Sequence, residues 1–128
     1  MKQDKRSLSG TPVSIRESLK KATTEMLVLY VLCKRPMYTY EMMQEIERMS
    51  GGTITFNTLY LAIYRLQDFG YIVEDHKEVV DNRVRIYFTV NPAGKQYLSQ
   101  LIQEYQSFTA AVDRVLGLER GTKGEGNK

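Results

Sequence analysis

The spacing of the hydrophobic residues changes at Gly70, from the repeat of a helix to the repeat of a strand. Before this glycine, apolar side chains recur every three or four residues, as they do on one face of an amphipathic helix. After it come two stretches rich in aromatic and β-branched residues, which favour strands. Helical spacing then returns at Asn91-Pro92 and continues to Gly117. The order of helices, two strands and a final helix restricts the chain to a small set of mixed folds.

Local signals place three helices in the first half of the chain. Thr11 followed by Pro12 marks a helix start, because threonine caps a helix and proline suits its first position. Thr39 and Thr55 are the expected N-caps of the next two helices, and Gly70 stands just past the end of the third. The predicted helices span Ala22–Lys34, Tyr38–Met49 and Phe56–Phe69.

A β hairpin is predicted after the third helix. Its strands are Tyr71–Glu74 and Val84–Val90, and a polar loop, Asp75–Arg83, joins them with a turn at Asp81-Asn82. Alternate residues of the second strand, Val84, Ile86 and Phe88, are expected to face the core.

The last helix is predicted from Asn91-Pro92 to about Leu116. Two helices with a short connection, followed by a hairpin, form a winged helix-turn-helix. A lone two-stranded hairpin is marginally stable in water, so it must pack on the helices, as a wing does. The predicted fold class is therefore mainly α with a two-stranded β wing, a winged helix-turn-helix followed by a long C-terminal helix.

Charge and cysteine content narrow the class of protein. The net charge is +3, and residues 1–21 carry six basic side chains against two acidic ones, so the basicity is concentrated at the N-terminus. This distribution allows nucleic-acid binding without establishing it. The single cysteine excludes an internal disulfide. The longest apolar run, Met26–Cys33, is too short to span a membrane. We therefore expect a cytoplasmic protein with no membrane partner.

The segment from about Ala22 to Gly117 resembles the PadR family of bacterial regulators. Three motifs carry the resemblance: Tyr38-Thr39-Tyr40-Glu41, Thr55-Phe56-Asn57-Thr58-Leu59-Tyr60 and Arg83-Val84-Arg85-Ile86-Tyr87-Phe88. Asn91-Pro92-Ala93-Gly94 replaces the threonine-x-x-glycine that is usual in the family. Thr39 and Asn82 stand where the family has glycine, and Ile86 stands where a basic residue is common. The last two departures weaken the expectation of DNA contact by the wing.

The resemblance implies a transcription regulator that places its third helix in the major groove of DNA. The N-terminal part of such a helix reaches base edges and phosphates. The residues expected to contact DNA are Thr55, Asn57, Thr58, Tyr60, Tyr64, Arg65, Arg83 and Arg85. As alternatives, Thr55 is only a helix cap, the two tyrosines belong to the core, and the two wing arginines lie on a solvated strand face.

The resemblance also implies a homodimer that binds a palindromic operator and acts as an effector-responsive repressor. Short members of the family bind flat aromatic or cationic compounds between their two subunits. The residues that match such a pocket are Ala22, Glu25, Met26, Leu101, Ile102, Tyr105 and Thr109. The alternative is a filled dimer core without a ligand.

These expectations divide the chain into four parts. They are a basic, partly disordered arm (1–21), a DNA-binding winged helix-turn-helix (22–90), a dimerisation helix (91–117) and a disordered tail (118–128). The arm either adds phosphate contacts or is a solvated tail.

Other function classes have less support in the sequence. A winged-helix module that binds protein instead of DNA is the alternative function, because the body outside the arm is close to neutral. His76 is expected to be a solvated loop residue, and Cys33 an inert buried thiol. No catalytic set or phosphate-binding glycine loop is visible, so we expect no enzyme, no cofactor and no metal site.

Overall fold

The computed structural model describes residues 10–118, which form four helices and one two-stranded antiparallel sheet. The predicted fold class, mainly α with a β wing, is confirmed. The predicted arm residues 1–9 and tail residues 119–128 lie outside the described part. In chain order the elements are α1 (Pro12–Lys34), α2 (Thr39–Met49), α3 (Tyr60–Asp68), β1 (Ile72–Val80), β2 (Arg83–Val90) and α4 (Pro92–Leu116).

The hydrophobic core surrounds the C-terminal half of α1. Helix α1 contributes four buried side chains, and α2, α3, the sheet and α4 pack against them. The largest fully buried side chains are Leu29, Leu32, Met37, Met42, Leu59, Leu66, Ile72 and Val28. Cys33 is exposed, so the expectation of a buried thiol is wrong; it follows Leu32 on the side of α1 that faces away from this core.

Helix α1 begins at Pro12, so it includes ten residues before Ala22, where the first predicted helix starts. The proposed Thr11-Pro12 signal does mark the start, although the Thr11 side chain makes no cap hydrogen bond. Residues 12–21 are continuous with the rest of the helix because Ile15, Leu19 and Ala22 extend its apolar spacing toward the N-terminus. The second half of the predicted arm is therefore a helix.

Helix α2 begins at Thr39, so this residue occupies the first helical position and Tyr38 is the N-cap, contrary to expectation. The Glu41 carboxylate satisfies the start of the helix, because the Tyr38 backbone N–H donates to Glu41 Oε1 at 3.4 Å. Two backbone hydrogen bonds join Met37, just before the helix, to Phe88 of the wing, at 3.2 and 2.9 Å. These hydrogen bonds connect the start of α2 directly to the wing.

Helix α3 is shorter than predicted, because residues 54–59 lead into it without being helical. Thr55 is therefore not its cap. Thr58 Oγ1 instead accepts from the Tyr60 backbone N–H at 3.1 Å, a local bond that competes with helix formation. The helix ends as predicted before Gly70, whose φ of +81° places it in the left-handed region. The Tyr71 N–H donates to the Leu66 carbonyl across this glycine.

The wing is a longer hairpin than predicted, with strands that extend through residues assigned to a loop. The predicted turn at Asp81-Asn82 is confirmed; their φ values of 51° and 63° fit a two-residue hairpin turn, which asparagine and aspartate tolerate. The hairpin projects beyond the helices, so both of its faces meet solvent near the tip. The prediction that Val84 and Ile86 face the core is wrong, because both are exposed and only Phe88 is buried.

Helix α4 begins and ends where the sequence predicts. The Asn91 side chain accepts from the Gly94 N–H at 2.8 Å and donates to the Gly70 carbonyl at 2.6 Å. Gly117, with φ of +75°, ends the helix. Within residues 10–118, no helix has the length and apolarity needed to cross a membrane.

Candidate nucleic-acid interface

The exposed face of α3 carries three large side chains. Tyr60, Leu61 and Tyr64 are 77%, 75% and 70% exposed, whereas Ala62, Ile63 and Leu66 on the opposite face are buried. The alternative that Tyr60 and Tyr64 belong to the core of this chain is therefore wrong. Large exposed side chains grouped on one helix face are typical of a contact surface.

A groove of about 750 Å³, here called the wing groove, lies between α3, β2 and the start of α2. It brings together four of the residues predicted to contact DNA, two tyrosines of α3 and two arginines of β2. Its lining residues are Tyr38, Thr39, Tyr40, Tyr60, Ile63, Tyr64, Gln67, Arg83, Val84, Arg85, Ile86 and Phe88.

The sequence analysis missed the α2 side of the wing groove. Tyr38, Thr39 and Tyr40 face the wing because the Met37–Phe88 hydrogen bonds hold the start of α2 beside β2. The N-terminus of a helix carries partial positive charge, which favours a nearby anion, and in α2 the Glu41 carboxylate binds the Tyr38 N–H at this end. The Tyr38-Thr39-Tyr40 motif was visible in the sequence, but its place beside the wing was not.

Aromatic contacts fix Arg85 at the edge of the wing groove. Its guanidinium carbon lies 4.6 Å from the centre of the Tyr38 ring, and the Tyr38 and Tyr87 rings meet edge to face at 5.3 Å. The Tyr87 ring in turn stacks on the His76 ring at 4.4 Å. A cation held against an aromatic face is restricted in orientation, so Arg85 is pre-positioned rather than freely moving.

His76 lies in β1, not in a loop as predicted, and two carboxylates surround its imidazole ring. Nδ1 is 2.6 Å from Asp75 Oδ2, and Nε2 is 3.4 Å from Glu78 Oε2. The hydrogen bond to Asp75 is the main cause that raises the pKa of His76 above 6.5. In the described part of the chain, no group of potential ligands is arranged to hold a metal ion.

We expect an NMR titration of the His76 Hε1 signal to give a pKa above 6.5, and Asp75→Asn to lower it. The protein has only one histidine, so the signal is unambiguous. Because the folded-state pKa is raised, this contribution to stability is complete below the unfolded pKa and disappears as the pH rises through the folded one. Glu17→Gln, on α1, serves as control and leaves the midpoint unchanged. A midpoint at or below 6.5 contradicts the expectation.

A second groove, of about 320 Å³, lies on the other side of α3 and is here called the α1–α3 groove. Predicted DNA-contact residues Thr58 and Arg65 line it, together with Lys21, Glu25 and Phe56. Arg65 was predicted to contact DNA and Glu25 to line the effector pocket, but the two pair with each other: Arg65 Nε lies 3.1 Å from Glu25 Oε2. This ion pair joins α1 to α3.

The other two residues predicted to contact DNA, Thr55 and Asn57, are exposed in the segment before α3. No hydrogen bond of the Asn57 side chain is recorded within residues 10–118, so its amide groups are accessible. Residues 54–59 and α3 are together called the recognition segment below.

The residues of the predicted effector pocket come from α1 and α4, which pack together in the chain. Met26, Leu101 and Ile102 are partly buried against the core, Ala22 and Tyr105 are exposed, and Thr109 donates to the Tyr105 carbonyl at 2.9 Å. Nearby, burial raises the pKa of Tyr97, and the Glu25 carboxylate adds to this shift.

The model of the transcriptional regulator PadR-like family matches residues 28–100, which is more than half of the chain. The chain belongs to the PadR-like family of transcriptional regulators. The match begins in α1 and includes α2, the recognition segment, the wing and the first third of α4. This PadR-like chain is therefore a DNA-binding regulator by family, and not an enzyme.

The chain is also similar to individual proteins. An uncharacterised protein of Lysinibacillus sphaericus is 27% identical over 108 residues, which cover 82% of this PadR-like chain and 99% of the relative. A transcriptional regulator from Clostridium thermocellum is 22% identical, with a TM-score of 0.70 over 76% of this chain and 96% of its own. A PadR-family regulator from Eggerthella lenta is 24% identical, with the same TM-score over 84% and 93%. At this level of identity the two structures support the fold.

Proposed function

We propose that this PadR-like regulator is a dimeric, sequence-specific DNA-binding protein that reads the major groove with its recognition segment. The observation that carries the proposal is the position of the exposed face of α3. Tyr60, Leu61 and Tyr64 stand beside a groove that holds both wing arginines and the N-terminus of α2. Basic side chains beside an exposed helix fit a helix that enters the major groove of DNA and lies next to a phosphate strand. Because the target is DNA, we assign its action to the cytoplasm.

The residues of the interface divide into base contacts and phosphate contacts. Asn57 and Thr58 carry short hydrogen-bonding groups at the start of the recognition segment, and an asparagine amide pairs with the edge of adenine. Tyr60 and Tyr64 donate their hydroxyls to phosphates. Arg85, which the Tyr38 ring holds in place, reaches a phosphate beside the wing.

The dimer is supported by the apolar stripe of α4. Leu98, Leu101 and Ile102 in the first half of the stripe pack on the core of the chain. The same stripe continues through Phe108 and Val112, which are exposed in a single chain. An apolar stripe that runs past the end of its own core requires a partner surface, and a second copy supplies one by symmetry. Two recognition segments would then fit half-sites about one turn of DNA apart.

We also propose that the protein is a repressor whose affinity for DNA falls when an effector binds. The exposed half of the Tyr105 ring offers a stacking surface for a flat aromatic or cationic compound between the two copies. The Glu25–Arg65 ion pair gives this region a direct connection to α3. A compound that displaces Arg65 from Glu25 would change how α3 is held and lower the affinity for DNA.

Fluorescence anisotropy with labelled duplexes from the region upstream of the protein's own gene tests the function. We expect a dissociation constant on the order of 10 nM or below for one palindromic site, and much weaker binding to shuffled DNA. Asn57→Ala should weaken binding to that site by roughly 30-fold or more, because each of the two protomers loses a bidentate base contact worth about 1 to 3 kcal/mol. Its affinity for shuffled DNA should stay unchanged.

Gln103→Ala is the matched control, because it also removes an exposed amide but lies on the side of α4 opposite the apolar stripe. It should leave both affinities as they are. Equal, weak affinity for all duplexes would overturn the proposal. Binding of a protein partner that survives Asn57→Ala would favour the interaction-module alternative.

A further inference from the structure

The N-terminal half of α1 places basic side chains next to the recognition segment. The Lys20 ammonium lies 5.3 Å from the centre of the Phe56 ring, and Lys21 lines the α1–α3 groove together with Thr58 and Arg65. These contacts exist because α1 begins at Pro12 instead of at Ala22, which makes this stretch a rigid helix. The basic residues that the sequence placed in an arm are therefore attached to the protein surface that reads DNA.

The charge around Lys21 leaves it available for a ligand. Lys20 pairs with Glu17 at 3.6 Å, and Glu25 pairs with Arg65. Within the described residues no carboxylate lies at ion-pair distance from Lys21, and its side chain is exposed. The two acidic residues of α1 closest to Lys21 in sequence, Glu17 and Glu25, are therefore already paired with basic side chains.

The two grooves lie on opposite sides of α3. The wing groove contacts the side that carries Ile63 and Gln67, and the α1–α3 groove contacts the side that carries Ala62 and Arg65. Tyr60 lies between them and lines both. The major groove of DNA is about 12 Å wide, so a helix within it has one phosphate strand on each side.

We propose that the α1–α3 groove receives the phosphate strand opposite the wing, and that Lys21 is the side chain that binds it. The wing arginines then hold one strand and Lys21 the other, with the recognition segment between them. This inference rests on the proposed function, and it assigns a DNA contact to a helix outside the helix-turn-helix.

The test compares the salt dependence of operator binding for wild type and Lys21→Gln. Each phosphate that a lysine neutralises releases counterions, so the slope of log K against log salt becomes less steep when the contact is lost. We expect the slope to fall in magnitude by about one for each protomer. Circular dichroism should be unchanged, because Lys21 is exposed.

Lys34→Gln is the matched control, because it removes the same charge from the other end of the same helix. The two lysines are 13 residues apart, about 20 Å along the helix axis. The slope of log K against log salt for Lys34→Gln should equal that of the wild type. If it changed as much as that of Lys21→Gln, the effect would come from net charge, and the inference would be wrong.

Neutral methylphosphonate linkages, introduced one at a time into the operator, locate the contact. At one position on the strand opposite the wing, the neutral linkage should weaken binding of the wild type and leave Lys21→Gln unaffected. If no position shows this coupling while the wild type binds its operator selectively, the Lys21 contact is wrong and the proposed function stands. If the wild type shows no selective binding at all, the proposed function itself fails.

Discussion

Replacing Phe108 by glutamate should convert the dimer into a monomer and weaken operator binding by about 100-fold or more. Phe108 is 69% exposed in a single chain. It lies on the second half of the α4 apolar stripe, which does not pack on the core of its own chain. Burying a phenylalanine contributes about 1.5 to 3 kcal/mol, and the symmetry of a dimer doubles this contribution. A buried, unpaired carboxylate adds a further penalty. A monomer also loses the gain in effective concentration that comes from linking two half-site contacts.

The mass in solution, from light scattering coupled to size exclusion, measures the first effect, and anisotropy measures the second. Ser107→Glu is the matched control, because it adds the same charge at the neighbouring exposed position, on another side of the helix. It should remain dimeric and bind DNA as the wild type does. A dimeric Phe108→Glu variant, or a wild type that is monomeric at micromolar concentration, would refute the proposed α4 interface.

Replacing Gly94 by alanine should destabilise the fold by about 3 kcal/mol. Gly94 is buried in the first turn of α4, where a Cβ atom would overlap the Tyr71 carbonyl oxygen and lie 2.6 Å from Val90 Cγ2. The Tyr71 carbonyl accepts from the Asn91 N–H, and the Asn91 side chain binds both Gly70 and Gly94, so this backbone has little room to move. The Tyr71 ring also stacks on Tyr97 of α4 at 4.4 Å.

Urea denaturation at one fixed protein concentration measures this loss, because the stability of a dimer depends on concentration. Gly117→Ala separates steric overlap from backbone strain. Gly117 also has no Cβ atom, but its surroundings are open and only its φ of +75° is unfavourable for alanine. We expect a cost of about 1 kcal/mol there. If the two variants were equally stable, close packing at Gly94 would not explain the glycine.

The sequence predicts best where a boundary depends on a local signal. Helix α4 starts at Pro92 because proline suits the first position and Asn91 caps the helix, and it ends at a glycine in the left-handed region. The start of α3 has several competing signals, because Thr53, Thr55 and Thr58 all precede it and any of them can cap a helix. None of the three caps the helix, because Leu59 is the N-cap and Thr58 makes only a local bond with the Tyr60 N–H.

The length of the wing was not predictable from hydrophobic spacing. Its outer part is solvated on both faces, so residues such as Lys77 and Glu78 show no alternation with a buried side. Polar residues without a period are typical of loops. The strands are identified only by their mutual pairing, for example Val79 with Val84.

The candidate site was predicted in part. Tyr60, Tyr64, Arg83 and Arg85 share one groove, as expected of residues that contact one duplex. The Tyr38 ring under Arg85 was missed, because it depends on contacts between residues distant in sequence. The pairing of Arg65 with Glu25 was also missed, because these residues are distant in sequence and were assigned to different sites.

The hydrogen bonds between Met37 and Phe88 have a mechanical consequence. They fasten the wing to the start of α2 in both directions, N–H to carbonyl and carbonyl to N–H. Two of the three elements that line the wing groove, the start of α2 and β2, are therefore expected to move together. In the proposed dimer, the wing of each copy would therefore follow the start of its own α2 when the two copies adjust to the spacing of an operator.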